Sequence, residues 1–419
     1  MKVSRVKCNI RLLMESLKRD AESRTVEIPW WIRFTRWRQQ SLKEGRASES
    51  QLLELNRQSL QQVDVPVGDG KQEFIHTVLG GTSNQPPLVM APGYAAGLGF
   101  YWRNVDGLSP HFQLLAFDWL GTGLSGRPAF VAQGRQASED FFVESLNNWR
   151  IKMGLDKFLL MGHSLGGYLS ACYALKYPQH VSHLLLVCPA GVPEAPENWQ
   201  SNIMQNATNT RKTLFKTFVW AWEKGVTPGS VIRTLGPLGP RLIDGYVSNR
   251  FRQHGQPLND NEYNIFKRYF YQIIAAPGSG EYALRHLLAP GAWAHAPLEH
   301  RLHELTVPVT FIYGEEDWMQ PKHAVKLCER LKEERSPKVE SDLKVEIIPN
   351  AGHFVFLEQP QLFDRAVLDA CASHLGEAEH QKASSGIPGA VEMSRSDDSS
   401  EWSFKADVDQ ASSEYAPAS

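Results

Sequence analysis

The stretch that most constrains this chain is Gly162-His163-Ser164-Leu165-Gly166. It is a Gly-x-Ser-x-Gly element with an apolar run, Lys157-Phe158-Leu159-Leu160-Met161, before it and a helix-forming run, Tyr168 to Tyr177, after it. A strand, a sharp turn and a helix are the context in which this motif lifts a serine onto an exposed, strained apex. Gly162 and Gly166 carry no Cβ, so the chain can turn tightly there and pack helix against strand. The helix start directs its N–H groups at the place where an oxyanion would form.

The flanking sequence predicts a mostly parallel sheet. Apolar runs at 87–93, the first ending in a Gly turn, 114–118, 157–161, 184–188, 307–313 and 344–348 alternate with helical stretches such as Ser138–Met153. That alternation argues α/β architecture with helices on both faces, and a ligand site beyond the carboxyl ends of the strands. Between 192 and 306 the alternation stops. Helices are expected at 210–224, 229–235, 240–253, 260–275 and 282–288, rich in Phe, Tyr and Trp. A helical insertion there forms a cap whose apolar lining suits a lipid or other greasy substrate. The chain therefore divides into a basic segment 1–27, a Trp/Arg-rich segment 28–73, core 74–191, cap 192–306, core 307–375 and a tail 376–419.

A serine hydroxyl needs a base to take its proton, and the base needs an acid to hold its tautomer. In this architecture the order is Ser, acid, His. After the cap, Tyr313-Gly314-Glu315-Glu316-Asp317 places acids just past a strand, and Gly352-His353-Phe354 places a histidine just past the last one. The expected triad is Ser164, Asp317 and His353, with Glu315 and Glu316 as rivals for the acid. Gly-x-x-Asp after the strand, common in this fold, favours Asp317. His163, His286, His295, His300 and His303 are read as structural or solvated. The backbone N–H groups of Leu165 and Tyr94 are the expected oxyanion donors. The turn before Tyr94 is Pro92-Gly93 where many members of this fold carry His-Gly; only a backbone N–H from the next residue is required, so the oxyanion hole is expected to survive, with slower turnover expected from the missing bracing histidine.

Charge is concentrated at the ends. Residues 1–46 hold twelve Lys/Arg against five Asp/Glu, and residues 376–419 hold three against nine, although the whole chain sums to −2. Val3, Val6, Ile10, Leu13 and Leu17 recur at helical spacing among basic residues. This fits a targeting helix such as a mitochondrial presequence, or equally a membrane-surface helix or a disordered, loosely docked terminus. Trp30, Trp31, Arg33, Arg36, Trp37 and Arg38 suit a bilayer interface and are the candidate membrane contacts; no nucleic-acid partner is expected. The acidic Ser-rich tail reads as disordered. Five cysteines, Cys8, Cys172, Cys188, Cys328 and Cys371, show no metal-ligand or CxxC spacing, which fits free thiols in a reducing compartment and no metal. No apolar run is long enough to span a bilayer.

From 74 to 375 the chain resembles the α/β-hydrolase superfamily, with an inserted helical cap. Gly93-Tyr94-Ala95-Ala96-Gly97-Leu98-Gly99-Phe100, the block from Phe117-Asp118-Trp119 to Arg127-Pro128, Pro237-Leu238-Gly239-Pro240-Arg241 and the Trp-Trp segment are similar to the lipid-handling branch of abhydrolase-domain types 4 and 5 and the fungal mitochondrial cardiolipin-specific deacylases. The resemblance implies hydrolysis of acyl esters in a phospholipid such as cardiolipin, without a cofactor, at a mitochondrial membrane or else in the cytoplasm or on a lipid droplet. It also implies two rivals. One is acyl transfer to a lysophospholipid, tied to a His-x4-Asp motif; here His353 is followed by Glu358. The other is a coactivator lacking the nucleophile; here Ser164 is present. A soluble esterase or peptidase on the same scaffold is the broader alternative.

Overall fold

The computed structural model of this chain describes residues 40–205, 208–251, 255–334 and 343–375. The basic segment 1–27, the six Trp/Arg candidates between Trp30 and Arg38, and the tail 376–419 lie outside the described residues.

Eight strands form one sheet: β1 Gln61–Pro66, β2 Phe74–Gly80, β3 Pro87–Ala91, β4 Gln113–Phe117, β5 Phe158–His163, β6 Val181–Val187, β7 Val309–Gly314 and β8 Leu343–Ile348. Their spatial order is β1-β2-β4-β3-β5-β6-β7-β8. The β1–β2 and β2–β4 pairs are antiparallel, and every other pair is parallel. All six residues of β5 and of β7 are buried, as strands covered on both faces must be. The expected strands are thus present, with shifted ends.

Among the described residues, the α-helices of seven residues or more are α1 Leu42–Leu53, α2 Gly134–Met153, α3 Leu165–Lys176, α4 Trp199–Gln205, α5 Asn209–Glu223, α6 Pro228–Thr234, α7 Gly239–Phe251, α8 Asp260–Ile274, α9 Lys322–Glu334 and α10 Pro360–Ala370. The cap comprises α4 to α8. The helix expected at 282–288 is instead two single turns, Gly280–Ala283 and Leu284–Leu287. Two arginines fasten the cap to the core. Arg103 pairs with Glu262 at 2.6 Å and donates to the carbonyls of Gln256 and Leu357. Arg127 donates to the carbonyls of Gly121, Gly123 and Pro277.

The cap aromatics divide in two. Phe251, Phe266, Tyr269 and Phe270 are buried, whereas Phe218, Trp220 and Tyr246 stand out into solvent. Phe100, Phe251, Phe266 and Phe354 meet at centroid distances of 4.7–5.8 Å, so the cap grips the residue next to His353.

The core starts earlier than residue 74. Strand β1 completes the sheet edge, and α1 packs on cap helix α8, with the Ser41 N–H bonded to Gln272 Oε1 at 2.9 Å. A buried ion cluster joins them. His76 Nε2 lies 2.7 Å from Glu49 Oε1, and Nδ1 lies 2.8 Å from Asp64 Oδ1. Burial would lower the His76 pKa, but the two carboxylates outweigh it and raise it to about 10.

Removing one partner of a buried pair costs about 3 kcal/mol. Glu49→Ala is therefore expected to lower the unfolding free energy by about that much in urea titration, and Arg46→Ala, on a half-exposed side chain, much less. The folded pKa of His76 exceeds its ordinary 6.5. Its contribution is therefore complete below pH 6.5 and lost as pH rises through 10, and the melting temperature should fall across that window.

Candidate active site

Ser164 follows β5 with φ 53° and ψ −121°, a conformation an L-residue holds only under constraint. Its N–H bonds to the Val187 carbonyl at 2.9 Å, and its own carbonyl accepts from Gly167, Tyr168 and Ala190. The loops after β7 and β8 are drawn together in the same way. The Glu315 N–H reaches Ile348 O and the Glu316 N–H reaches Ala351 O, both at 2.9 Å. Gly314 permits the approach, since a Cβ there would lie 2.3 Å from the Ala351 carbonyl oxygen.

These loops assemble a relay. Ser164 Oγ lies 3.0 Å from His353 Nε2, and His353 Nδ1 lies 3.0 Å from Asp317 Oδ1. Asp317 is buried while Glu315 and Glu316 are exposed, which settles the geometry between the rival acids. The Met319 N–H adds a bond to Asp317 Oδ1 at 3.1 Å. Trp318 lies 5.4 Å from the His353 ring and is 55% exposed, so the site opens beside it. With serine oxygen, imidazole and buried carboxylate in line, the arrangement suits proton transfer from Oγ during attack on a carbonyl.

Several supporting residues were not legible as such in the sequence. Glu358 accepts the N–H groups of Gly352 and Phe354, on either side of His353, at 2.6 and 3.3 Å, and pairs with Arg250 at 2.6 Å. His163, read as structural or solvated, is buried and its Nε2 bonds to the His353 carbonyl at 2.8 Å. Burial, then the nearby His353, hold its pKa well below the ordinary value. It is therefore neutral, and Nε2–H is the donor. His295 and His300 bond elsewhere, to the Arg285 carbonyl and to Glu194.

The oxyanion turn has its own brace. A Cβ on Gly93 would lie 2.8 Å from Ser164 Cβ, so this turn abuts the nucleophile and puts Tyr94 beside it. The Leu165 N–H is at the first helical position, where helices leave donors without an intrahelical acceptor. In place of a histidine, the Trp119 indole N–H donates to Pro92 O at 3.0 Å and Tyr101 O–H donates to Ala91 O at 2.9 Å.

Cys188, Asp317 and His353 offer three donor atoms within 4.8 Å of one another. Burial, then the Asp317 charge, push the Cys188 thiol well above its usual range. A thiol so protonated is a poor metal ligand, and the other two groups are already bonded to each other.

A family model described as the alpha/beta hydrolase fold matches residues 86–221. A probable 1-acylglycerol-3-phosphate O-acyltransferase of Oryza sativa subsp. japonica is 36% identical, over 83% of this chain and 86% of its own. A (lyso)-N-acylphosphatidylethanolamine lipase of Homo sapiens is 34% identical, over 70% of this chain and 80% of its own. Among solved structures, a carboxylesterase from Bacillus subtilis superposes with a TM-score of 0.55 at 18% identity, over 79% of this chain and 99% of its own. A membrane phospholipase A gives 0.56 at 20%, over 80% and 91%. At such identities the structures speak to the fold alone.

Two substitutions probe the turn. Gly93→Ala forces a methyl onto Ser164 and should cut kcat on a soluble p-nitrophenyl ester about 100-fold, the scale of losing an oxyanion donor. Trp119→Phe removes only the indole N–H and should lower kcat about tenfold with KM unchanged. Stopped-flow or steady-state rates on the purified variants decide both.

Proposed function

Because this chain belongs to the α/β-hydrolase family, in the lipid-acting branch of abhydrolase types 4 and 5, we propose that it is a serine hydrolase that deacylates a membrane phospholipid. The observation that carries the reading is the unbroken Ser164–His353–Asp317 relay on a strained elbow. Ser164 Oγ attacks the ester carbonyl while His353 Nε2 takes its proton. Asp317 orients the imidazole and stabilises its charged form. The N–H groups of Leu165 and Tyr94 hold the oxyanion. His353 then protonates the departing alcohol, and water attacks the acyl-enzyme by the reverse of these steps. Cardiolipin is the proposed head group, and the periphery of a mitochondrial membrane the proposed place, from the family resemblance and the basic N-terminal segment.

Acyl transfer to a lysophospholipid is the second reading, favoured by the name of the Oryza relative. It uses the same acyl-enzyme with a glycerol hydroxyl in place of water. Glu358 stands where the motif tied to that activity has Asp, and here it clamps the His353 loop.

Purified protein is incubated with vesicles of cardiolipin, phosphatidylethanolamine, N-acylphosphatidylethanolamine or phosphatidic acid, with and without lysophosphatidate. Released fatty acid and new diacyl product are followed by mass spectrometry. The deacylase reading expects fatty acid from one lipid class, lost at least about 1,000-fold in Ser164→Ala. Diacyl product that grows with lysophosphatidate would favour transfer. Glu358→Asp recreates the motif but shortens the clamp, and should lower kcat at least about tenfold without raising transfer.

A further inference from the structure

Helix α5 has no buried residue along its fifteen positions. Leu214, Phe218 and Trp220 are 65, 50 and 57% exposed, and Leu214 and Phe218 lie one turn apart on a stripe continued by Ala221. The same helix carries Arg211, Lys212, Lys216 and the following Lys224, against Glu223 as the one acid between 209 and 224. None of these four basic side chains makes an ion pair among the described residues. Trp222, one turn after Phe218 with the two ring centroids 6.1 Å apart, donates its indole N–H to Leu288 O at 3.0 Å and so ties the helix to the cap beside that stripe. A second exposed row, Leu238, Leu242 and Tyr246, recurs every four residues at the start of and along α7. Exposed apolar surface on this scale marks an interaction site.

The helix also connects to the catalytic edge. Residues 224–227 lead from α5 into α6, where the Gly229 N–H donates to the Tyr94 hydroxyl at 3.4 Å. Tyr94 follows the turn that abuts Ser164.

We propose that α5 is the surface by which the protein docks on an anionic phospholipid bilayer. Leu214 and Phe218 enter the acyl boundary, and the four basic side chains meet lipid phosphates. Charge complementarity selects this occupant. A helix with four Lys/Arg against one Glu would repel its own copy across a two-fold contact, whereas an anionic surface attracts it. The proposal rests on the phospholipid reading above and adds where the bilayer meets the protein, a contact separate from the Trp30–Arg38 segment.

The test uses the full chain in flotation with phosphatidylcholine vesicles, with and without phosphatidylglycerol. The paired substitutions Leu214→Ser with Phe218→Ser, and Lys212→Glu with Lys216→Glu, are each expected to lower partitioning onto phosphatidylglycerol vesicles about tenfold. Hydrolysis of a soluble p-nitrophenyl ester should be unchanged, which also reports that both variants fold. The proposal is overturned if both variants float like wild type, or if wild type binds neither vesicle. It is also overturned if the apolar pair turns a dimer into a monomer on size exclusion while flotation persists, for then a second copy covers α5. Absence of soluble-ester turnover in wild type would count against the hydrolase reading alone, since flotation is measured independently of it.

Discussion

The arrangement depends first on the backbone at Ser164. A φ of 53° with ψ of −121° is costly for a residue with a side chain, on the order of 1–3 kcal/mol, and persists only where the surroundings over-determine it. Here the N–H is held by β6 and the carbonyl by three donors. The Gly93 turn fills the remaining space. The strain raises the hydroxyl out of the sheet edge so that imidazole can approach from one side and an oxyanion can be received on the other. Relaxing any of these supports would lower Ser164 back toward the strand without removing a catalytic side chain.

The histidine is positioned by a different device. It sits on a short loop with no secondary structure of its own, so its placement comes from side chains. Glu358 fastens both neighbouring amides, His163 fastens its carbonyl, and Phe354 is gripped by aromatic rings of the cap. Cap and catalytic loop are thereby mechanically linked. Phe251 of α7 packs on the residue beside His353, and Tyr94 makes a parallel link from the oxyanion turn to α6.

The elbow and the triad positions were legible because each is a local signal: a motif between a strand and a helix, or a polar residue at fixed spacing past an apolar run. What was not legible depends on partners distant in sequence. Strand β1 has only Val63 and Val65 buried, as an edge strand does, and its place in the sheet is decided by β2 and by the Glu49–His76–Asp64 cluster. The core boundary drawn at Phe74 therefore cut through a hairpin. With no histidine at Pro92 the oxyanion turn had no brace that could be read locally; Trp119 and Tyr101 supply its bonds from 27 and 10 residues away. Which cap aromatics are buried was not legible either, because composition does not say which side of a helix faces protein. In α5 the apolar residues cover more of the circumference than the cap can bury, and the surplus faces out.

The central claim is that Ser164 is an activated nucleophile, and the most direct measurement is intact-protein mass spectrometry after treatment with a fluorophosphonate, followed by peptide mapping. The account predicts a single adduct on Ser164, formed on the native protein, lost on urea unfolding and slowed when His353 is replaced by Ala. No adduct on the folded protein, or modification spread over other serines at equal rates, would contradict it.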